Sequence, residues 1–109
     1  MRRYCLALDL VEDAKLIEEY KLYHQSVWPE IKESIRLSGI EDMEIYLTCN
    51  RLFMIMEVNE SFSFEAKGAA DMVNPKVQEW ESLMWKFQQA LPGAKPGEKW
   101  IMTDRIFKL

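Results

Sequence analysis

Hydrophobic and polar residues alternate at the start of the chain. In RRYCLALDL, residues 2–10, Tyr4, Leu6, Leu8 and Leu10 fall on one side and Arg3, Cys5, Ala7 and Asp9 on the other. This period of two predicts a strand. The pattern then switches to helical spacing in EDAKLIEEYKLYHQSV, where Leu16, Tyr20, Tyr23, His24 and Val27 share a face and Asp13 is placed to cap the first turn. Pro29 interrupts that helix and suits the first turn of a new one, PEIKESIRLSG, which Gly39 stops. MEIYLT sets Met43, Ile45 and Leu47 opposite Glu44 and Tyr46, and RLFMIMEV sets Leu52, Met54, Met56 and Val58 opposite Phe53, Ile55 and Glu57. The short CNR connection, with Asn50 as turn residue, makes the two an antiparallel hairpin. SFSFEAKGAA predicts a short helix. NPKVQEWESLMWKFQQAL predicts a longer one, with Val77, Trp80, Met84 and Phe87 as its core stripe. After the turn-rich PGAKPGE, KWIMTDRIFKL predicts a terminal strand.

Strand, helix, strand, strand, helix, strand is the split βαβ order. It predicts an α+β, ferredoxin-like βαββαβ domain: an antiparallel sheet with helices on one face. The third strand is apolar on both faces, so a second copy of the chain is expected on the uncovered side, giving a homodimer.

Composition narrows the function classes. The 109 residues fit a single domain, 1–109, able to bury roughly two-thirds of the surface of its unfolded form without staples. A net charge of −4 gives no basic face for nucleic acid. No apolar run approaches the roughly 18 residues of a membrane span. The opening MRRYCLALDLVED imitates a signal peptide only faintly, being short, broken by Asp9 and without a small-residue cleavage site, so a cytoplasmic protein is expected. Cys5 and Cys49 have no metal-ligand spacing and are expected as two buried thiols.

Candidate chemistry is sparse. The chain has no phosphate-cradling glycine loop, no nucleophile elbow and a single histidine, which cannot complete a zinc site. That histidine, His24, is the one side chain that titrates near neutral pH unaided. Tyr20, His24 and Trp28 are spaced by four and would stack along one helix face if the helix ran that far. Aromatic faces with a donor and an acceptor among them suit a sugar; the alternative is a pair of core aromatics with wet polar tips. Tyr46 shares a strand face with Glu44. Glu57 is either an exposed edge residue or, if turned into a pocket, a carboxylate raised by burial and suited to proton exchange. Trp80 is expected to face the core with Glu81 at an edge, since adjacent helical positions diverge by about 100°. Trp85 and Trp100 are expected to pack, and the methionines to fill the core.

EEYKLYHQSVWPEI, GIEDMEIYL, RLFMIMEV, VQEWESLM and the terminal KWIMTDRIFKL together resemble the L-rhamnose mutarotase family nearly end to end, and in particular a branch associated with L-fucose. The most specific part is Tyr20, His24, Trp28, Pro29 and Glu30 at their mutual spacing. The resemblance implies a ferredoxin-like fold of the dimeric α/β-barrel type. The implied enzyme is an aldose mutarotase that interconverts the α and β anomers of a 6-deoxy-L-hexose without cofactor or metal. It implies His24 as catalytic acid, with Tyr20 and Trp80 contacting the sugar. Tyr20, Tyr46 and Glu57 are the candidates for the accompanying base. Two positions depart from the rhamnose pattern, which has a second tryptophan where this chain has Glu81 and a tyrosine where it has Met43. L-rhamnose and L-fucose differ at C2 and C4, so these departures favour L-fucose. Non-catalytic ligand-binding modules and haem or quinol monooxygenases use the same fold, and a haem reading would make His24 an axial ligand.

Overall fold

A computed structural model describes all residues, 1–109. Its elements are β1 (Arg2–Leu10), α1 (Ala14–Gln25), α2 (Pro29–Leu37), β2 (Ile40–Thr48), β3 (Arg51–Val58), α3 (Phe64–Met72), α4 (Pro75–Trp85), β4 (Gln88–Gln89) and β5 (Ile101–Met102). The sheet runs β2-β3-β1-β4, with β5 beside β4 on the same edge of β1, and every pairing is antiparallel. This is the ferredoxin-like arrangement that the order of strands and helices predicts.

Local chemistry sets the helix ends. Asp13 Oδ1 accepts from the amides of Lys15 and Leu16 at 2.9 and 3.1 Å. Those amides lack carbonyl partners at a helix start, and such a cap contributes about 0.5–2 kcal/mol. Ser63 and Asn74 cap α3 and α4 in the same way, and Pro29 and Pro75 occupy first turns. Gly39 ends α2 at φ 101°, where a Cβ would sit 2.6 Å from Asn59 Oδ1. Only glycine meets both demands.

The inward positions of the strands match the alternation. Leu6, Leu8, Leu10, Leu52, Met56 and Val58 are buried beneath the helices. One core cluster joins Leu10 and Leu52 to Tyr20 of α1, Ile31 of α2 and Val77, Trp80 and Met84 of α4. A second, at the α3 end, joins Leu6, Met56 and Val58 to Ile40 and Phe62. Trp100 packs on both, as expected, whereas Trp85 is exposed with Lys99 Nζ 4.6 Å above its ring.

Several boundaries differ from the expectation. The helix expected over 74–91 ends at Trp85, where Lys86 and Phe87 donate to Leu83 and Met84 three residues back. That tightened turn releases the chain into β4, with Gln88 opposite Leu10 and Gln89 opposite Asp9. Phe87 stays in the core, so its spacing continued the helical stripe after the backbone had left the helix. The terminal strand is two residues long, prolonged by Thr103, whose amide and hydroxyl both donate to the Cys5 carbonyl. Beyond it Ile106, Phe107 and Leu109 are exposed. In the hairpin turn the positive φ, 52°, belongs to Cys49, while Asn50 donates from Nδ2 to the Leu10 carbonyl at 3.0 Å. Both thiols are free, but neither is buried as expected: Cys5, on the outward side of β1, is half-buried and Cys49 is exposed at this tip. No helix is long and apolar enough to cross a membrane.

Candidate active site

The helices do not close completely over the sheet. Between them lies a cavity of about 740 Å³, within the usual range for small-ligand sites, with Tyr20, His24, Trp80, Glu81 and Gln88 in its lining. Met43, Ile45, Met54 and Met84 supply apolar wall.

His24 lies in the last turn of α1, on the face that also buries Tyr20. Its Nδ1 lies 2.8 Å from the carbonyl oxygen of Tyr20, one turn back. A carbonyl can only accept, so Nδ1 carries the hydrogen and donates. The neutral ring therefore presents Nε2 as a lone pair, which no group of the chain occupies. Burial pulls the imidazole below its ordinary 6.5, while the bond to Tyr20, which favours the charged ring, works against that shift. The neutral form prevails at pH 7.

Tyr20 is 3% exposed, and its ring lies 4.3 Å from that of His24. The phenol oxygen accepts from Gln88 Nε2 at 3.2 Å, leaving its own O–H without a partner in the chain. Burial raises the hydroxyl above 10.0, opposed by the Gln88 bond, so it remains a neutral donor. Trp80 stands edge-on to His24 at 5.8 Å. The site thus holds one free acceptor and one free donor side by side on a single helix.

The other expected members are placed differently. Trp28 follows the end of α1 and takes the extended cap position of α2, with φ −55° and ψ 136°, so the ladder stops at His24. Its ring packs edge-to-face on Trp80 at 5.0 Å with Lys76 Nζ 5.7 Å above it. It faces a shallow surface depression with Leu22 and Tyr23, not the cavity. Tyr46 and Glu57 point away from the helices, because strand alternation sends their neighbours Ile45, Leu47, Met56 and Val58 inward. Tyr46 is 54% exposed and donates to Glu44 Oε2 at 3.1 Å. Glu57 faces Arg3 at 3.6 Å. Of the three candidate bases only Tyr20 shares the cavity with His24. Glu81 and Met43, the two departures from the rhamnose pattern, both line it. Gln88 was not foreseen: two glutamines at the end of an expected helix carry no chemical signal by themselves. No three His, Cys, Asp or Glu side chains gather closely enough to hold a metal ion.

Chemically, such a pair can take a proton from one oxygen and give one to another, which is the work of an acid–base isomerase or hydrolase. Comparison with known proteins narrows this. Residues 3–109 match the family described as L-rhamnose mutarotase. A relative from Xanthomonas campestris pv. campestris named L-fucose mutarotase is 48% identical over 111 residues, covering 100% of this chain and 89% of its own length. A Dictyostelium discoideum protein of the UPF0734 group is 40% identical, covering 99% and 90%. The crystal structure of an L-rhamnose mutarotase from Formosa agariphila superposes with a TM-score of 0.73 at 22% identity, covering 100% of this chain and 99% of that one. The chain belongs to the L-rhamnose mutarotase family. It is a carbohydrate isomerase of the anomer-interconverting kind.

Proposed function

We propose that the chain interconverts the α and β pyranose anomers of L-fucose in preference to L-rhamnose, by acid–base ring opening at His24 and Tyr20. The observation that carries this reading is the pairing of a vacant lone pair at His24 Nε2 with an uncommitted phenol O–H at Tyr20. Mutarotation asks for those two functions. His24 Nε2 takes the proton of the anomeric hydroxyl, the bond from C1 to the ring oxygen breaks, and the Tyr20 hydroxyl protonates the departing ring oxygen. The aldehyde turns about its bond to C2 and the ring closes on its other face. The imidazolium then returns its proton to the new anomeric oxygen, so the expected roles are exchanged in opening. His24, with its free Nε2 lone pair, is the base there and the acid in closure, and Tyr20 is the acid on the ring oxygen. Negative charge left on the phenolate is relieved when it recovers the proton of the ring hydroxyl. Trp80, which lines the cavity, supplies an aromatic wall for the sugar, and acid–base assistance of this type typically contributes about 10²–10⁴-fold.

Preference for L-fucose rests on Glu81 and Met43, which line the cavity where the family's rhamnose pattern has tryptophan and tyrosine, and on the 48% identical Xanthomonas relative. We further take the protein to work as a cytoplasmic homodimer, joined through the bare sheet face that carries Phe53 and Ile55, with the exposed Ile106 and Phe107 as additional apolar surface. Saturation-transfer NMR between the anomeric protons tests the assignment, using catalytic protein with each sugar. Exchange that is faster for L-fucose is expected. Equal or faster exchange with L-rhamnose would refute the preference, and no exchange with either would favour a non-catalytic binding module.

A further inference from the structure

The mechanism uses Tyr20 as a proton donor, and something must keep that proton pointing into the cavity. A buried phenol can donate to or accept from whatever lies beside it, and only the second arrangement leaves its hydrogen for substrate. The Tyr20 hydroxyl has one hydrogen-bond partner in the chain, Gln88 Nε2 at 3.2 Å. Gln88 comes from the far edge of the sheet, 68 residues away. Its backbone is fixed by pairing with Leu10, and the preceding carbonyl, of Phe87, accepts from the Val11 amide at 2.9 Å. Phe87 itself is buried against Tyr20, with ring centroids 6.1 Å apart. A two-residue strand would be an unexplained piece of sheet if its only role were to end the helix. Its first residue delivers an amide donor to the phenol oxygen.

We propose that Gln88 is a positioning residue for mutarotation: by donating to the Tyr20 oxygen it occupies the side of the phenol facing β4 and turns the hydroxyl hydrogen toward the sugar's ring oxygen. The proposal rests on the mutarotase reading above and deepens it. An amide at this place also stabilises the phenolate that forms as the proton leaves, because the same N–H then donates to a charged oxygen, a stronger bond.

Glutamate and leucine at this position separate the proposal from a merely structural role. An ionised Gln88→Glu side chain has nearly the same shape but can only accept. It draws the Tyr20 hydrogen to itself and opposes phenolate formation. Gln88→Leu removes the donor without substituting an acceptor. The turnover number should therefore fall in the order Gln, Leu, Glu, with Gln88→Glu down roughly ten- to hundredfold, the size expected for a hydrogen bond to a charged group. A role in packing alone would order them by shape, with Gln88→Glu close to the native protein. In a Tyr20→Phe background the three should converge. Wild-type turnover in Gln88→Glu would overturn the proposal, since Tyr20 would then be donating to residue 88. So would an unchanged Gln-to-Leu-to-Glu series in the Tyr20→Phe background. A readout independent of turnover is the NMR signal of the Tyr20 ring in isotope-labelled protein, assigned by its loss in Tyr20→Phe. Gln88→Leu should shift it, and an unmoved signal would sink the proposal even if exchange is fast. Native protein that exchanges neither sugar but shows that shift would instead locate the failure in the mutarotase reading.

Discussion

The two faces of the sheet are built from the same strands and share almost no properties. Leu52 and Phe53 are neighbours on β3, yet Leu52 is 2% exposed and Phe53 is 37% exposed. The inner face carries the leucines, the helices, the cavity and every group that can handle a proton near it. The outer face carries Phe53, Ile55, Cys5 and Ala7 between two ion pairs, Arg3 with Glu57 and Arg51 with the buried Asp9. Asp9 accepts from Arg51 Nε and Nη2 at 2.8 and 3.1 Å, a bidentate bond that ties β1 to β3. Strand alternation therefore divides the cavity-facing positions from the exposed apolar ones one residue at a time, and under the proposed function substitutions one position apart should affect different measurements.

The largest expected effect is on the inner face. His24→Ala should lower anomer exchange by about 10²–10⁴-fold while circular dichroism and melting remain near native values, since the ring is half-buried and bonds only to its own helix. Native rates in that variant would remove His24 from the mechanism. Leu52→Ala comes next. It opens a hole beneath the helices, and chemical denaturation should show a loss of about 2–5 kcal/mol. Its neighbour provides the contrast. Phe53→Asp should cost the isolated fold little, about 0.5 kcal/mol for a surface change, while halving the mass seen by analytical ultracentrifugation. A native protein that is already monomeric at micromolar concentration would rule out the homodimer. The smallest effect is that of pH. Folded His24 resists protonation until below 6.5, whereas the unfolded chain takes up the proton near that value. Unfolded chains then bind more protons, so stability and exchange should both decline as pH drops below about 6.5, and the His24→Gln variant should lose that part of the stability slope.

Much of the inner face could be read from the sequence. The alternation in residues 2–10, the cap at Asp13, the new helix at Pro29 and the stripe from Val77 to Phe87 each reflect a local rule strong enough to survive in the fold. Where the sequence misled, two rules coincided or neither applied. Phe87 satisfied the helical spacing from a residue outside the helix. On β3 both faces are apolar, so period could not say whether Glu57 looked into a pocket or away from it. Trp28 kept the four-residue spacing of Tyr20 and His24, but α1 ends at Gln25 before reaching it. Gln88 lay beyond pattern altogether: its importance comes from a contact with a residue 68 positions earlier, and nothing in a pair of glutamines announces that. Family resemblance singled out His24, Tyr20 and Trp80, which composition alone could not lift above ordinary core residues, and all three line the cavity.

The bond from His24 Nδ1 to the Tyr20 carbonyl has a consequence for how such an enzyme can be tuned. In many proteins a catalytic imidazole is held by a carboxylate, whose charge sets its proton affinity and whose replacement resets it. Here the holder of the imidazole proposed to act on the sugar is an uncharged backbone oxygen one helical turn away, which no substitution can remove while the helix stands. The affinity of the ring is then adjustable mainly through how much water reaches it, and so through the bulk of the side chains at the cavity mouth. Variation in working pH among related proteins would be expected to track changes in apolar packing around this helix rather than changes in nearby charge.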